Sequence, residues 1–129
     1  MRRSTTVRAV LAAVGLAVLL ALTGCGGATT PAPSWPAGAI VVTAEGLAFD
    51  RTELVIPADE PFTLVLVNRD GDLHNIAIRT RPSFEGELLF RHDAISASTA
   101  VLAVGPIPAG SYFFLCELHP QMHGTVLAQ

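Results

Sequence analysis

Residues 112–124 read Tyr112-Phe113-Phe114-Leu115-Cys116-Glu117-Leu118-His119-Pro120-Gln121-Met122-His123-Gly124. The first four are apolar and mostly aromatic, the composition of a strand that packs one face on a core. Pro120 and Gly124 then break the run, so a strand delivers Cys116 directly into a short turn. That turn carries Cys, His and Met at spacing C-x2-H-x2-M. A thiolate, an imidazole and a thioether are soft or borderline donors, suited to copper rather than to magnesium or calcium.

Working outward, the same strand grammar recurs from Ile40 onward. Segments 40–43, 54–56, 62–67, 73–78, 99–104, 112–116 and 125–127 are short, apolar and partly β-branched. Turn-forming stretches separate them, among them Pro57-Ala58-Asp59, Asn68-Arg69-Asp70-Gly71 and Pro106-Ile107-Pro108-Ala109-Gly110. No convincing helical period appears outside the first two dozen residues. Residues 81–98, with Pro82, Gly86 and serine-rich ends, are the least regular part and are expected to form a loop with a short helix; His92 lies there with no assigned role. The pattern predicts an all-β chain, a Greek-key β-sandwich of about seven to eight strands.

Period-2 geometry orients the candidate ligands. On the segment 73–78, His74 shares a face with Ile76 and Ile78, while Asn75, Ala77 and Arg79 take the other. Cys116 likewise shares a face with Tyr112 and Phe114. Both therefore point inward from apolar faces. Two imidazoles and one thiolate with a weak axial methionine compose a blue-copper site. His119 is one imidazole, and His74 is the inward-facing candidate for the second.

These residues carry a family resemblance. The pair His74-Asn75, the run Cys116-x2-His119-Pro120-x-Met122, and Gly124 before a last apolar strand resemble the cupredoxins over about residues 40–129, with a ligand loop most like that of amicyanin. The resemblance implies one copper ion, cycling between Cu(I) and Cu(II), held by His74, Cys116, His119 and Met122. It also implies that Asn75 ties the ligand loops together and gives a backbone N–H to the cysteine sulfur; an Asn satisfying a neighbouring backbone group is the alternative. Glu117-Leu118 departs from the small or proline-containing pairs common at that place. Glu117 either favours Cu(II) electrostatically or, as expected here, points to water. His123 is expected to be a solvated surface residue.

The chain starts differently. Arg2, Arg3 and Arg8 precede the apolar run Val10–Leu22, which is shorter than the roughly 20 residues of a spanning helix and reads as a secretory signal over residues 1–24. Leu22-Thr23-Gly24-Cys25 resembles the lipobox of bacterial lipoproteins, which implies a lipid-modified Cys25 and an extracytoplasmic protein anchored to the membrane; an ordinary secretory cleavage site is the other reading. Residues 25–38 are rich in Gly, Ala and Pro and read as a tether, with Trp35 incidental to it. The domain proper is 39–129. Cleavage would remove three of the eight basic residues and none of the eleven acids, leaving a net charge of −6 with His neutral. That balance argues against nucleic acid. With Cys25 lipidated, Cys116 is the one remaining thiol and no internal disulfide can form.

Three function classes follow. One-electron transfer between a redox donor and acceptor, by a monomer, leads; copper delivery or sequestration is the alternative. Copper enzymology would need a second centre with further histidine pairs, and this chain has four His and no His-x-His. No catalytic residue is expected.

Overall fold

Residues 30–129 are described by the computed structural model; the predicted signal and Cys25 lie outside them. Nine strands follow in order: β1 (Ile40–Glu45), β2 (Ala48–Phe49), β3 (Glu53–Ile56), β4 (Phe62–Asn68), β5 (Ala77–Arg79), β6 (Leu88–Arg91), β7 (Thr99–Val104), β8 (Gly110–Leu115) and β9 (His123–Ala128). They form two sheets, β2-β1-β4-β7 and β3-β9-β8-β5-β6. The all-β expectation holds, with one or two more strands than the seven to eight expected.

Alternation explains why the sheets face one another. In β9, Gly124, Val126 and Ala128 are buried while His123, Thr125 and Leu127 are not fully so; in β3, Leu54 and Ile56 are buried between exposed neighbours. Register aligns these inward residues across strands: Leu54 opposite Val126, Phe114 opposite Gly124, Ile78 opposite Phe114. On the other sheet Val42 pairs with Leu66, and Leu64 with Leu102. One apolar cluster joins the two sets, with the Phe49 ring tilted against Phe114 at a centroid separation of 5.3 Å.

Two expectations require correction. The segment 73–78 is not one strand: His74 forms an isolated bridge to Ile95, and the regular ladder begins only at Ala77. Residues 81–98 hold no helix; they carry β6 and the Ile95 bridge. Both differences concern the same place, where chain 88–95 lies beside chain 74–79.

Candidate metal centre

His74 is held on both sides of its backbone. Its N–H donates to Ile95 O and its carbonyl accepts from Ile95 N–H, each at 2.9 Å. Ahead of it, Asn68 Oδ1 accepts Asp70 N–H at 2.8 Å, while Asn68 Nδ2 donates to the carbonyls of Asp72 (2.8 Å) and Ile95 (2.6 Å). This shapes the turn 68–73 so that Asp70 Oδ2 lies 2.9 Å from His74 Nε2. The Asp70 carboxylate also accepts N–H bonds from Gly46 (2.8 Å) and Leu47 (3.2 Å). Those two amides, with the smaller effect of His74, hold its carboxyl below the usual value of 3.8. A carboxylate only accepts, so His74 Nε2 carries the hydrogen and Nδ1 keeps its lone pair.

Gly46 and Leu47 have φ of 63° and 58°, the left-handed pair of a type I′ hairpin turn between β1 and β2. Leucine seldom adopts that conformation; here the bond from its N–H to Asp70 accompanies it. Asp70, four residues before the histidine, is a site residue that the sequence analysis did not single out.

Cys116 leaves the end of β8 fully buried. Its N–H donates to Met122 O, and Met122 N–H donates to His119 O, both at 2.9 Å, so backbone bonds close the turn 116–122. This folds His119 back over Cys116. The three donor atoms converge: Cys116 Sγ lies 3.8 Å from His74 Nδ1 and 3.7 Å from His119 Nδ1, and the two nitrogens are 3.1 Å apart. Three donors bonding one ion at roughly 2.0–2.3 Å would be separated by about 3.5–4 Å in a trigonal plane. The thiol and both imidazoles thus fit a single metal ion with little movement. Met122 is buried in the same core cluster as Cys116. His74 and Cys116 are sealed from solvent, whereas His119 is half-buried between exposed Leu118 and Pro120. His123 is exposed, as expected.

Asn75 bonds across from the His74 segment to the residue after Cys116. Its Oδ1 accepts Glu117 N–H at 2.8 Å, and its Nδ2 donates to Glu117 Oε2 at 3.0 Å. The expectation that Glu117 points to water is overturned. Its side chain is only 13% exposed and pairs with Arg79 Nη2 through Oε1, with Arg91 Nη1 3.5 Å from Oε2. Burial pushes the Glu117 carboxyl upward, but the bonds from Arg79 and Asn75 and the charges of both arginines outweigh it and hold it below its ordinary value. His92, unassigned from sequence, offers Nε2 to Ile76 N–H at 3.2 Å. Burial lowers its pKa, opposed more weakly by Asp93, which suits a neutral ring acting as acceptor.

A family model described as a cupredoxin-like domain matches residues 13–128. Amicyanin from Paracoccus versutus is 34% identical over 94 residues, covering 73% of this chain and 67% of that protein. Among solved structures, auracyanin A, a "blue" copper protein from Chloroflexus aurantiacus, superposes with a TM-score of 0.60 at 20% identity, covering 70% of this chain and 98% of the other. A methionine-to-alanine mutant of amicyanin in its Cu(I) form gives 0.57 at 25% identity, covering 74% and 86%.

Proposed function

This chain belongs to the cupredoxin-like domain family, and from that membership we propose that it is a mononuclear blue-copper protein carrying single electrons between extracytoplasmic redox partners. The observation that carries the reading is the convergence of Cys116 Sγ, His74 Nδ1 and His119 Nδ1 within 3.8 Å of one another. On this reading those three residues and Met122 hold the ion. Bound copper supplies a one-electron Cu(I)/Cu(II) couple.

The protein's own groups supply the rest. Asp70 fixes the tautomer of His74; Asn75 holds the Cys116 turn against the His74 segment; the buried surroundings of Cys116 keep water out. Donors that converge from buried, hydrogen-bonded backbone suit electron transfer, in which the ligands need scarcely move between oxidation states. Exchange with a partner would run through His119, whose neighbour Leu118 is 47% exposed and offers an apolar rim for close approach. Copper delivery is less well supported, because a buried thiolate releases its ion slowly. Catalysis is disfavoured because His92 is engaged with Ile76 and His123 stands alone on the surface, leaving no second histidine pair.

The extracytoplasmic location and the membrane anchor rest on the signal-like residues 1–24 and Cys25. Cys25→Ser should release the protein from membranes without altering the copper domain. For the site, copper loading of the wild type should give an intense visible thiolate-to-copper band, absent in Cys116→Ser and unchanged in His123→Ala. Mixing the reduced, loaded protein with an oxidant and with a copper-free acceptor separates the two roles. Rapid reversible oxidation with copper retained is expected; rapid loss of copper to the acceptor with sluggish oxidation would overturn electron transfer.

A further inference from the structure

Glu117 sits between two of the residues that converge on the metal centre, where a free carboxylate would act directly on the thiolate–metal unit. Its surroundings are built to meet that charge. Arg79 reaches it from β5 with a side chain only 10% exposed. The guanidinium is itself fixed, Nη1 donating to Gly86 O at 2.9 Å and to Phe84 O at 3.3 Å, with the Phe84 ring centroid 5.6 Å from Cζ. Gly86 permits this wrap, since a Cβ there would lie 2.6 Å from Arg81 N. Arg91, half-exposed on β6, contributes a longer contact to the same carboxylate. Loop 81–87 is thus folded about a cation whose other face meets the residue after Cys116.

We propose that Arg79 and Glu117 form a charge-compensating pair beside the metal centre, each cancelling the field of the other, so that either charge alone would displace its reduction potential. The inference rests on the blue-copper reading above and adds two residues that are not ligands. It predicts shifts of opposite sign. Removing the negative member leaves Arg79 and Arg91 uncompensated, which disfavours the more positive oxidation state and raises the potential. Removing Arg79 exposes the carboxylate and lowers it. A single uncompensated charge roughly 12 Å from the ion at an effective dielectric of about 20 shifts the Cu(I)/Cu(II) ratio on the order of tenfold, or ~59 mV for one electron. A purely mechanical role would loosen the turn in both variants and move both potentials the same way.

The test is a redox titration of copper-loaded wild type, Glu117→Gln, Arg79→Met and the double variant. The expected result is a rise, a fall, and a return toward wild type in the double. Should Arg79→Met fail to fold or load, Arg91→Gln removes a surface cation from the same carboxylate and should lower the potential by a smaller amount. Thermal unfolding of the copper-free proteins gives a second readout: the double variant should lose less than the two single losses combined. Single variants that shift together or not at all, or losses that simply add, overturn the pair. A wild type that takes up copper without the thiolate band overturns the functional reading instead, so the two failures are distinct.

Discussion

Replacing Asn75 by alanine tests how the two ligand-bearing segments are joined. Asn75 is 4% exposed, accepts Glu117 N–H at 2.8 Å and donates to Glu117 Oε2 at 3.0 Å, with a longer bond to His92 O at 3.4 Å. Losing a bond to a neutral amide costs about 1 kcal/mol and losing one to a charged group about 1.5–3 kcal/mol. Asn75→Ala should therefore destabilise the copper-free protein by about 2–4 kcal/mol. In a domain of this size each kcal/mol lowers the melting temperature by roughly 4–8 °C, so a fall of ~8–32 °C is expected. Copper affinity should drop by about 10–100-fold, the usual cost of removing a group that orients metal ligands. Asn75→Asp keeps the acceptor for Glu117 N–H but sets a second carboxylate against the first, so near neutral pH it should be no more stable than the alanine variant. Urea unfolding of the apoprotein and a competitive copper titration measure both quantities. A loss below ~0.5 kcal/mol, the range of an ordinary surface substitution, with unchanged affinity, would refute the linkage.

Gly124→Ala should cost about 1–3 kcal/mol by overpacking, because its Cβ would lie 2.4 Å from both Phe114 Cε1 and the Thr52 carbonyl. Adding Phe114→Leu should restore only part of that stability in a thermal melt, since the Thr52 carbonyl is backbone and stays in place. His92 supplies a pH dependence. Its folded pKa lies below the unfolded 6.5, so its contribution is present above about 6.5 and is lost as pH falls through the lower folded value. Between about pH 7 and pH 5 the apoprotein should lose more stability than His92→Gln does; equal losses in urea unfolding would remove His92 from the account. Met122→Leu should retain the visible band while raising the potential, because a weak axial donor is removed; loss of the band would show a larger role for Met122.

Much of this was legible in the sequence, for definite reasons. Strands β1, β3 and β9 announced themselves because each buries one face, so alternation survives in the chain at 40–44, 54–56 and 124–128. Cys116 and His119 were legible because one short turn carries both, and His74 because an apolar run surrounds it. The segment 73–78 misled because both of its faces are covered. His74, Asn75, Ile76, Ala77, Ile78 and Arg79 are all buried, which imitates a longer strand, while the His92 ring takes the Ile76 amide that a strand neighbour would otherwise take. The surroundings of Glu117 were hidden for a different cause. Arg79 precedes it by 38 residues, and only the pairing of β5 with β8 makes them neighbours. A two-residue strand such as β2 leaves too little pattern to be seen.

The placement of β9 has a consequence for the order of assembly. β9 lies between β3 and β8, pairing Glu53 with Thr125 and Leu115 with His123. The turn bearing Cys116, His119 and Met122 is the connection between β8 and β9, so it closes only when β9 docks. His74 precedes Cys116 by 42 residues, and contacts this distant in sequence are slow to form, since loop closure precedes any gain from pairing. A folding chain therefore exposes isolated sulfur and imidazole groups first and gains a high-affinity cradle last. Metal capture is in effect gated by completion of the sandwich, and copper added during refolding should be taken up at the rate of the last folding phase. Uptake ahead of that phase would show that the turn organises itself before its sheet.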